Sequence, residues 1–113
     1  MHELSIAQNI VEIVVDYVAK TKSKQVKEVC IDVGAVSGVV PETLEFAWEE
    51  SVRNTIVQGA ILKINYIEAK ALCTNCQKEF MLPDIYSLCP FCNNLDFDII
   101  MGKELSVKSI KVL

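Results

Sequence analysis

The sequence predicts an α+β fold, in which two helices pack on a small three-stranded sheet and a four-cysteine module is inserted before the last strand. Three observations predict it. Apolar residues recur at helical spacing in two segments and alternate with polar residues in three others. The stretch from Cys73 to Cys92 carries four of the five cysteines and few aliphatic residues. At 113 residues the chain has room for one ordinary domain and a small, stapled module.

Two amphipathic segments predict the helices. The first is expected from Glu3 to Lys20, with apolar residues on one side and polar residues on the other. Pro41 suits the first turn of the second helix, where its missing N–H would be unpaired anyway. The apolar face of this second helix comprises Leu44, Ala47, Trp48, Ser51 and Val52. Trp48 and Phe46 are both expected to be packing residues.

Three segments alternate as strands do. In the first, Val29, Ile31, Val33 and Ala35 alternate with Glu28, Cys30 and Asp32. Cys30 is expected to be a small packed core residue rather than a reactive thiol. The second strand is the stretch AILKINYIEAK, with Leu62, Ile64 and Tyr66 facing one way. In the last strand, ELSVKSIKVL, the apolar residues change phase, which predicts a bulge near Lys108 and Ser109.

The four clustered cysteines, Cys73, Cys76, Cys89 and Cys92, form a C-x2-C-x12-C-x2-C pattern. Two such knuckles can complete a tetrahedron of thiolates, for which Zn(II) is the expected ion and iron the competitor. A closed four-thiolate site leaves no position for water, so this zinc is expected to be structural. Phe80, Tyr86, Phe91 and Phe97 are expected to form a small aromatic cluster around it.

Charge and composition exclude several classes of function. The net charge of −4 and the acidic residues of the ribbon argue against nucleic-acid binding. No apolar run is long enough to span a membrane, and five cysteines without an export signal favour the cytoplasm. The only histidine, His2, is terminal, which argues against acid–base catalysis and thus against an enzyme.

The start of the chain, MHELS, has its own coordination chemistry. The amine of Met1, the amide nitrogens of His2 and Glu3, and the His2 imidazole can place four nitrogens in one plane. Planar nitrogen ligands select Ni(II) or Cu(II) over Zn(II). A solvated terminal residue without a role is the simpler interpretation of His2. The residues alone therefore leave two hypotheses open, a nickel carrier and an acidic zinc-ribbon adaptor that contacts other proteins.

In combination, MHELS, GAVSGVVPETLEFAW, the CTNC and CPFC knuckles and MGKELSVKSIKV resemble the HypA/HybF-type hydrogenase maturation factors. The resemblance implies a nickel metallochaperone that delivers Ni(II) to the large subunit of [NiFe]-hydrogenase. It implies a HypB-type GTPase as partner, a structural zinc in the ribbon, and a nickel site at Met1, His2 and Glu3. Whether urease maturation factors are partners, and whether the chain is a monomer or a homodimer, stays open.

The predicted organisation follows from the elements and this resemblance together. Residues 1–70 form the first part of the nickel-binding domain, 71–97 the zinc ribbon, and 98–113 the final strand, which returns to the first domain. The chain departs from the family pattern at Asn93 and at Asn54-Thr55, where relatives often have glycine and Gly-Thr; asparagine tolerates the left-handed conformation expected there. The VSGVVPE segment is a candidate docking surface, with Val39→Asp as its test.

Overall fold

The computed structural model describes residues 3–113 as two helices and six strands. In chain order these are α1 (Glu3–Ala19), β1 (Val26–Gly34), α2 (Pro41–Val52), β2 (Ile61–Ile67), β3 (Lys70–Cys73), β4 (Glu79–Met81), β5 (Phe97–Met101) and β6 (Leu105–Val112). None of the helices in this part of the chain is long and apolar enough to cross a membrane. The molecule is elongated, with principal extents of 54 × 24 × 17 Å.

The first sheet has the strand order β2-β1-β6. β1 is the central strand and runs parallel to β2, with α2 in the crossover between them, and antiparallel to β6. Val29, in the middle of β1, lies opposite Leu62 on one side and Ile110 on the other. The predicted α+β fold, two helices with a small three-stranded sheet and an inserted four-cysteine module, is therefore confirmed.

The main core lies between this sheet and the two helices. Its fully buried members include Val14, Val18, Val29, Ile31, Val33 and Leu44. Trp48 is buried as expected, but Phe46 is 81% exposed, so the prediction that it packs was wrong. Phe46 lies two residues from both Leu44 and Trp48. Successive side chains of a helix are about 100° apart, so the side chain of Phe46 projects from the side opposite to these two residues.

The predicted bulge in the last strand is confirmed. Cys30 lies opposite Ser109, and its neighbour Ile31 lies opposite Val107, so Lys108 has no partner on β1. The extra residue reverses the alternation of side chains along the strand. Val107 and Ile110 thereby both pack against the main core, although they have opposite parity in the sequence.

Three details of the first sheet differ from the sequence prediction. The stretch 60–70 is not one strand, because β2 ends at Ile67 and β3, from Lys70, belongs to another sheet. Tyr66 is 54% exposed although it shares the parity of Leu62 and Ile64, because it lies near the end of an edge strand. Cys30 is half-buried rather than a core residue, since successive strand side chains point to opposite faces and its neighbours Val29 and Ile31 occupy the core face.

The inserted segment forms a sheet of its own, with strand order β4-β3-β5 and both pairings antiparallel. This second sheet was not expected from the sequence. Its core consists of six buried residues, Ala69, Ala71, Cys73, Phe80, Leu82 and Cys89. Because two of the six are cysteines of the cluster, the small core and the cysteine site are one structure.

The end of β1 holds together the two segments that connect the sheets. The amide of Gly34 donates to the carbonyl of Glu104 at 2.7 Å, and the amide of Val36 donates to Gly102 at 2.9 Å. The amide of Ala35, between them, donates to Ile67 at 2.8 Å. A Cβ atom on Gly34 would lie 1.9 Å from the Gly102 carbonyl oxygen, so only glycine permits this approach.

Candidate metal centre

Two short turns with the same hydrogen-bond pattern position the four cysteines. In the first turn, the Cys73 amide donates to Lys78 and the Cys73 carbonyl accepts from Gln77, both at 3.0 Å. In the second, the Cys89 amide donates to Asn94 at 3.1 Å, and the Cys89 carbonyl accepts from Asn93 at 2.8 Å. The two turns thus make the same two hydrogen bonds, to the fourth and fifth residues after the first cysteine of each pair.

Each turn closes through a residue in the left-handed region. Gln77 has φ 62° and Asn93 has φ 61°, and Asn54, in the turn after α2, has φ 63°. Asn54 and Asn93 are the positions where the sequence departs from the glycine-containing family pattern. Both therefore adopt the expected left-handed conformation, which asparagine tolerates better than most residues.

The four sulfur atoms converge on one point. All of them lie within 4.8 Å of one another, with Cys73 Sγ 3.5 Å from Cys92 Sγ and Cys76 Sγ 3.6 Å from Cys89 Sγ. Zinc–sulfur bonds of about 2.3 Å in a tetrahedron would separate the sulfurs by about 3.8 Å. The donor set and its spacing therefore fit a four-coordinate thiolate-binding metal ion.

Hydrogen bonds from nearby backbone and side-chain amide groups favour the thiolate form of two cysteines, Cys73 and Cys92. The amides of Cys76 and Asn75 each donate to Cys73 Sγ at 3.4 Å, and they lower the pKa of Cys73 to about 6. The Asn75 side chain, then the Asn94 amide, lower the pKa of Cys92. The Lys78 amide lowers the pKa of Cys76, but burial and the neighbouring cysteines outweigh it and raise that pKa to about 11. Close thiols cannot all ionise without a cation between them.

The expected cluster of four aromatic residues is reduced to a pair. The rings of Phe80 and Phe97 meet edge to face with centroids 5.8 Å apart. Tyr86 is 84% exposed, and Phe91 is 57% exposed with Lys78 Nζ 4.8 Å above its ring. Phe80 and Phe97 lie on strands that pair with β3, whereas Tyr86 and Phe91 lie in loops, so only the first two are held over the core.

The predicted nickel ligands are only partly described. Met1 and His2 lie outside residues 3–113, and the hypothesis about them is not tested by the structure. Glu3 is half-buried, and it is the first residue of α1 and the acidic residue of its first turn. Within the described residues, the four cysteines form the one group of three or more His, Cys, Asp or Glu side chains close enough to hold a metal ion.

The VSGVVPE segment presents a different valine from the one chosen on sequence grounds. Val39 is 7% exposed and belongs to the main core, whereas Val40 is 50% exposed. A Val39→Asp substitution would place a charge in the core and unfold the protein rather than probe docking. The docking role of this segment remains a prediction, with Val40 as its outward side chain.

Comparison with known proteins identifies the family. Residues 1–112 match the family model HypA, described as hydrogenase/urease nickel incorporation metallochaperone. The chain belongs to the HypA family. The hydrogenase maturation factor HypA of Geotalea uraniireducens is 38% identical over 112 residues, which are 99% of this chain and 99% of that protein. The factor of the same name from Parabacteroides distasonis is also 38% identical, over 99% of this chain and 97% of its own.

Solved structures of the family share the fold. The solution structure of the nickel metallochaperone HypA from Helicobacter pylori has a TM-score of 0.71 at 23% identity, covering all of this chain and 98% of that one. A second HypA solution structure gives a TM-score of 0.70 at 24% identity, covering all of this chain and 97% of that one. The resemblance seen in the sequence is thus confirmed. The chain is a nickel-incorporation metallochaperone of hydrogenase maturation, in a family of metal carriers rather than enzymes.

Proposed function

We propose that the chain binds one Ni(II) through Met1, His2 and Glu3 and delivers it to the large subunit of [NiFe]-hydrogenase in the cytoplasm. A HypB-type GTPase is the proposed partner in this transfer, and Zn(II) held by the four cysteines is a structural ion. The observation that carries the proposal is the family match, which begins at residue 1 and so includes the proposed nickel ligands.

The proposed nickel site draws on the chemistry of a chain start. The amine of Met1, two backbone nitrogens and the His2 imidazole supply a planar set that Ni(II) favours over Zn(II). Glu3 is the first residue of α1, and the amides of a helix's first turn have no acceptor within the helix. The Glu3 amide can therefore release its proton to solvent and bind nickel through its nitrogen without breaking a helical hydrogen bond.

The zinc proposal rests on the cysteine geometry. Cys73, Cys76, Cys89 and Cys92 offer four thiolates at the spacing of a closed tetrahedral site, with no open position for a substrate. Such an ion stabilises the fold of the second sheet, because two of its ligands are also core residues. The two metals therefore have separate roles: one is released and one stays.

Nickel stoichiometry on protein that begins at Met1 tests the proposal. Equilibrium dialysis should give about one Ni(II) per chain for the wild type and none for His2→Ala, while zinc content stays at one. Addition of a tag of several residues before Met1 should abolish nickel binding equally, because it moves the amine out of reach of the His2 imidazole. Gln8→Ala, on the exposed side of α1, is the matched control and should bind nickel normally.

Delivery is tested separately from binding. Nickel-loaded protein should restore activity to an immature hydrogenase large subunit in the presence of the GTPase, and the His2→Ala variant should not. Unchanged nickel binding in His2→Ala would exclude the proposed site. Normal binding without transfer would contradict the delivery step, and no nickel binding at micromolar levels by the wild type would favour the adaptor hypothesis for this chain.

A further inference from the structure

The outer face of α2 carries an aromatic residue that no part of the chain from residue 3 to residue 113 covers. Phe46 is 81% exposed, and Val40, just before the helix, is 50% exposed. Residues three and four apart are neighbours on a helix, so Phe46 is flanked by Glu42 before it and by Glu49 and Glu50 after it. We call these residues, together with Glu45, the α2 face. An exposed aromatic ring gains the favourable free energy of burial only when another molecule covers it.

The charge of the α2 face is almost unbalanced. α2 contains four glutamates and no basic residue. Arg53, at the end of the helix, pairs with Glu50 at 3.0 Å, and over residues 3–113 no ion pair involves Glu42, Glu45 or Glu49. Glu49 and Glu50 lie in the last turn, where the helix dipole disfavours negative charge. Glu42 suits the dipole in the first turn and Arg53 offsets Glu50, so Glu49 is the carboxylate whose position helix stability does not explain.

A recess that Glu45 and Glu49 of the α2 face help to line lies between α2 and the chain that leads into β2. Its volume is about 470 Å³, a size that accommodates a large side chain or a small ligand. It is lined by Glu45, Trp48, Glu49, Val52, Arg53, Gln58, Gly59, Ala60 and Leu62. In the recess, two carboxylates without ion pairs in residues 3–113, those of Glu45 and Glu49, thus lie close to apolar side chains. Trp48, on that wall, has an indole N–H that is buried and has no acceptor in the part of the chain described.

We propose that the α2 face binds a basic amphipathic segment of a partner protein. An apolar side chain of the segment covers Phe46, and its Lys or Arg side chains pair with Glu42, Glu45 and Glu49, one of them reaching into the recess. The long aliphatic stem of Lys or Arg suits a site with an apolar wall and charged residues. The proposal does not depend on the nickel site, whose proposed ligands precede Leu4.

Charge excludes a twofold contact between the α2 faces of two copies of the chain. In a twofold contact the same surface meets itself, so two α2 faces would oppose three unpaired carboxylates to three others. Like charges in such a contact destabilise it. A segment with the opposite charge gains from the same carboxylates, and that complementarity selects the partner's chemistry.

A synthetic peptide tests the proposal on the intact, metal-loaded chain. The probe is an 18-residue helical peptide with leucines along one face and arginines beside them; its counterpart has glutamate in place of each arginine. Trp48 is the only tryptophan and lines the recess, so its fluorescence reports binding. The basic peptide should change this fluorescence and shift the NMR amide signals of α2 and of residues 58–60. The acidic peptide should do neither.

Variants identify the residues that carry the interaction. Phe46→Ser should weaken binding about tenfold, as expected for loss of a central aromatic contact. Glu45→Gln with Glu49→Gln should weaken it several-fold and reduce its dependence on salt. Ile13→Ser, on the exposed side of α1, is the matched control and should bind like the wild type. The proposal is overturned if the basic peptide does not bind, or if all variants bind it equally. It is also overturned if the amide shifts are confined to other surfaces, or if the chain self-associates and Phe46→Ser removes that self-association.

Discussion

Replacement of Gly34 by alanine tests the junction between the two sheets. The backbone of Gly34 is not in the left-handed region, so alanine meets no conformational penalty there. The obstacle is steric, because the new Cβ would lie 1.9 Å from the Gly102 oxygen and 2.8 Å from the Glu104 nitrogen. Both neighbours are backbone atoms, so a side-chain rotation cannot relieve the clash, and the connecting segments must separate.

The expected cost follows from the contacts that such a separation disturbs. Overpacking of a tight site costs about 1–3 kcal/mol. The hydrogen bonds from Gly34 to Glu104 and from Val36 to Gly102 are also weakened, at about 1 kcal/mol each if lost. We expect the free energy of unfolding to fall by about 3 kcal/mol. At a urea m-value of about 2 kcal/mol/M, the midpoint should fall by about 1.5 M.

Urea unfolding of metal-saturated protein, followed by Trp48 fluorescence, measures this loss. Gly38→Ala is the matched control, since Gly38 has φ +86° and no atom within 4 Å of an added Cβ. Its cost is the left-handed backbone alone, about 1–2 kcal/mol. If Gly34→Ala is no more destabilising than Gly38→Ala, the tight contact at Gly34 does not contribute to stability, and our account of the junction is wrong.

Three further predictions concern the core, a surface ion pair and the metal. Val39→Asp should lower the unfolding free energy by more than about 3 kcal/mol, because it buries a charge. Val40→Asp should not lower it in the same urea experiment, because Val40 is half exposed and stands at the N-cap of α2, where aspartate is favoured. The hydrogen bond from Lys63, together with Lys111, lowers the pKa of Glu28 below its ordinary 4.5. The stability that this provides is present above pH 4.5 and is lost as the pH falls through the lowered pKa. Glu28→Gln should therefore be less stable than the wild type at pH 7 and equal to it in acid; a difference that persists in acid would contradict this. After removal of the metal with a strong chelator, the NMR amide signals of residues 70–101 should move to the chemical shifts of an unfolded chain, while Trp48 fluorescence and the α1 signals stay unchanged. Simultaneous loss of both sets would show that the first sheet depends on the metal as well.

The features predicted well from sequence are those with a strong local pattern. The start of α1 and the helix that begins at Pro41 follow from apolar spacing and from a proline that only the first turn accepts. The bulge at Lys108 was visible as a phase change, because a strand that keeps its apolar face must insert a residue where the parity reverses. The cysteine spacing likewise predicted four sulfurs at one point, since each knuckle is a local turn.

The differences between prediction and structure have two sources. The exposure of Phe46 follows from a local pattern, because Leu44 and Trp48 already fix the buried side of the helix. The apolar phase of the predicted second strand changes between Tyr66 and Ala69. This change marks the break between Ile67 and Lys70, but it does not show that the partner strands change from β1 to β4 and β5. Tyr86 and Phe91 give no local signal that they lie in loops, outside the strands beside β3. For the strand break and for these two residues, the deciding information is the identity of a distant neighbour.

The central position of β1 has a consequence for the inserted segment. β2 ends at Ile67 and β6 begins at Leu105, on either side of the end of β1 and two ladder spacings apart, about 10 Å. About three extended residues span such a gap. The chain thus leaves and re-enters the first sheet at nearly the same place, and the length of the cysteine-bearing segment places no demand on the host strands.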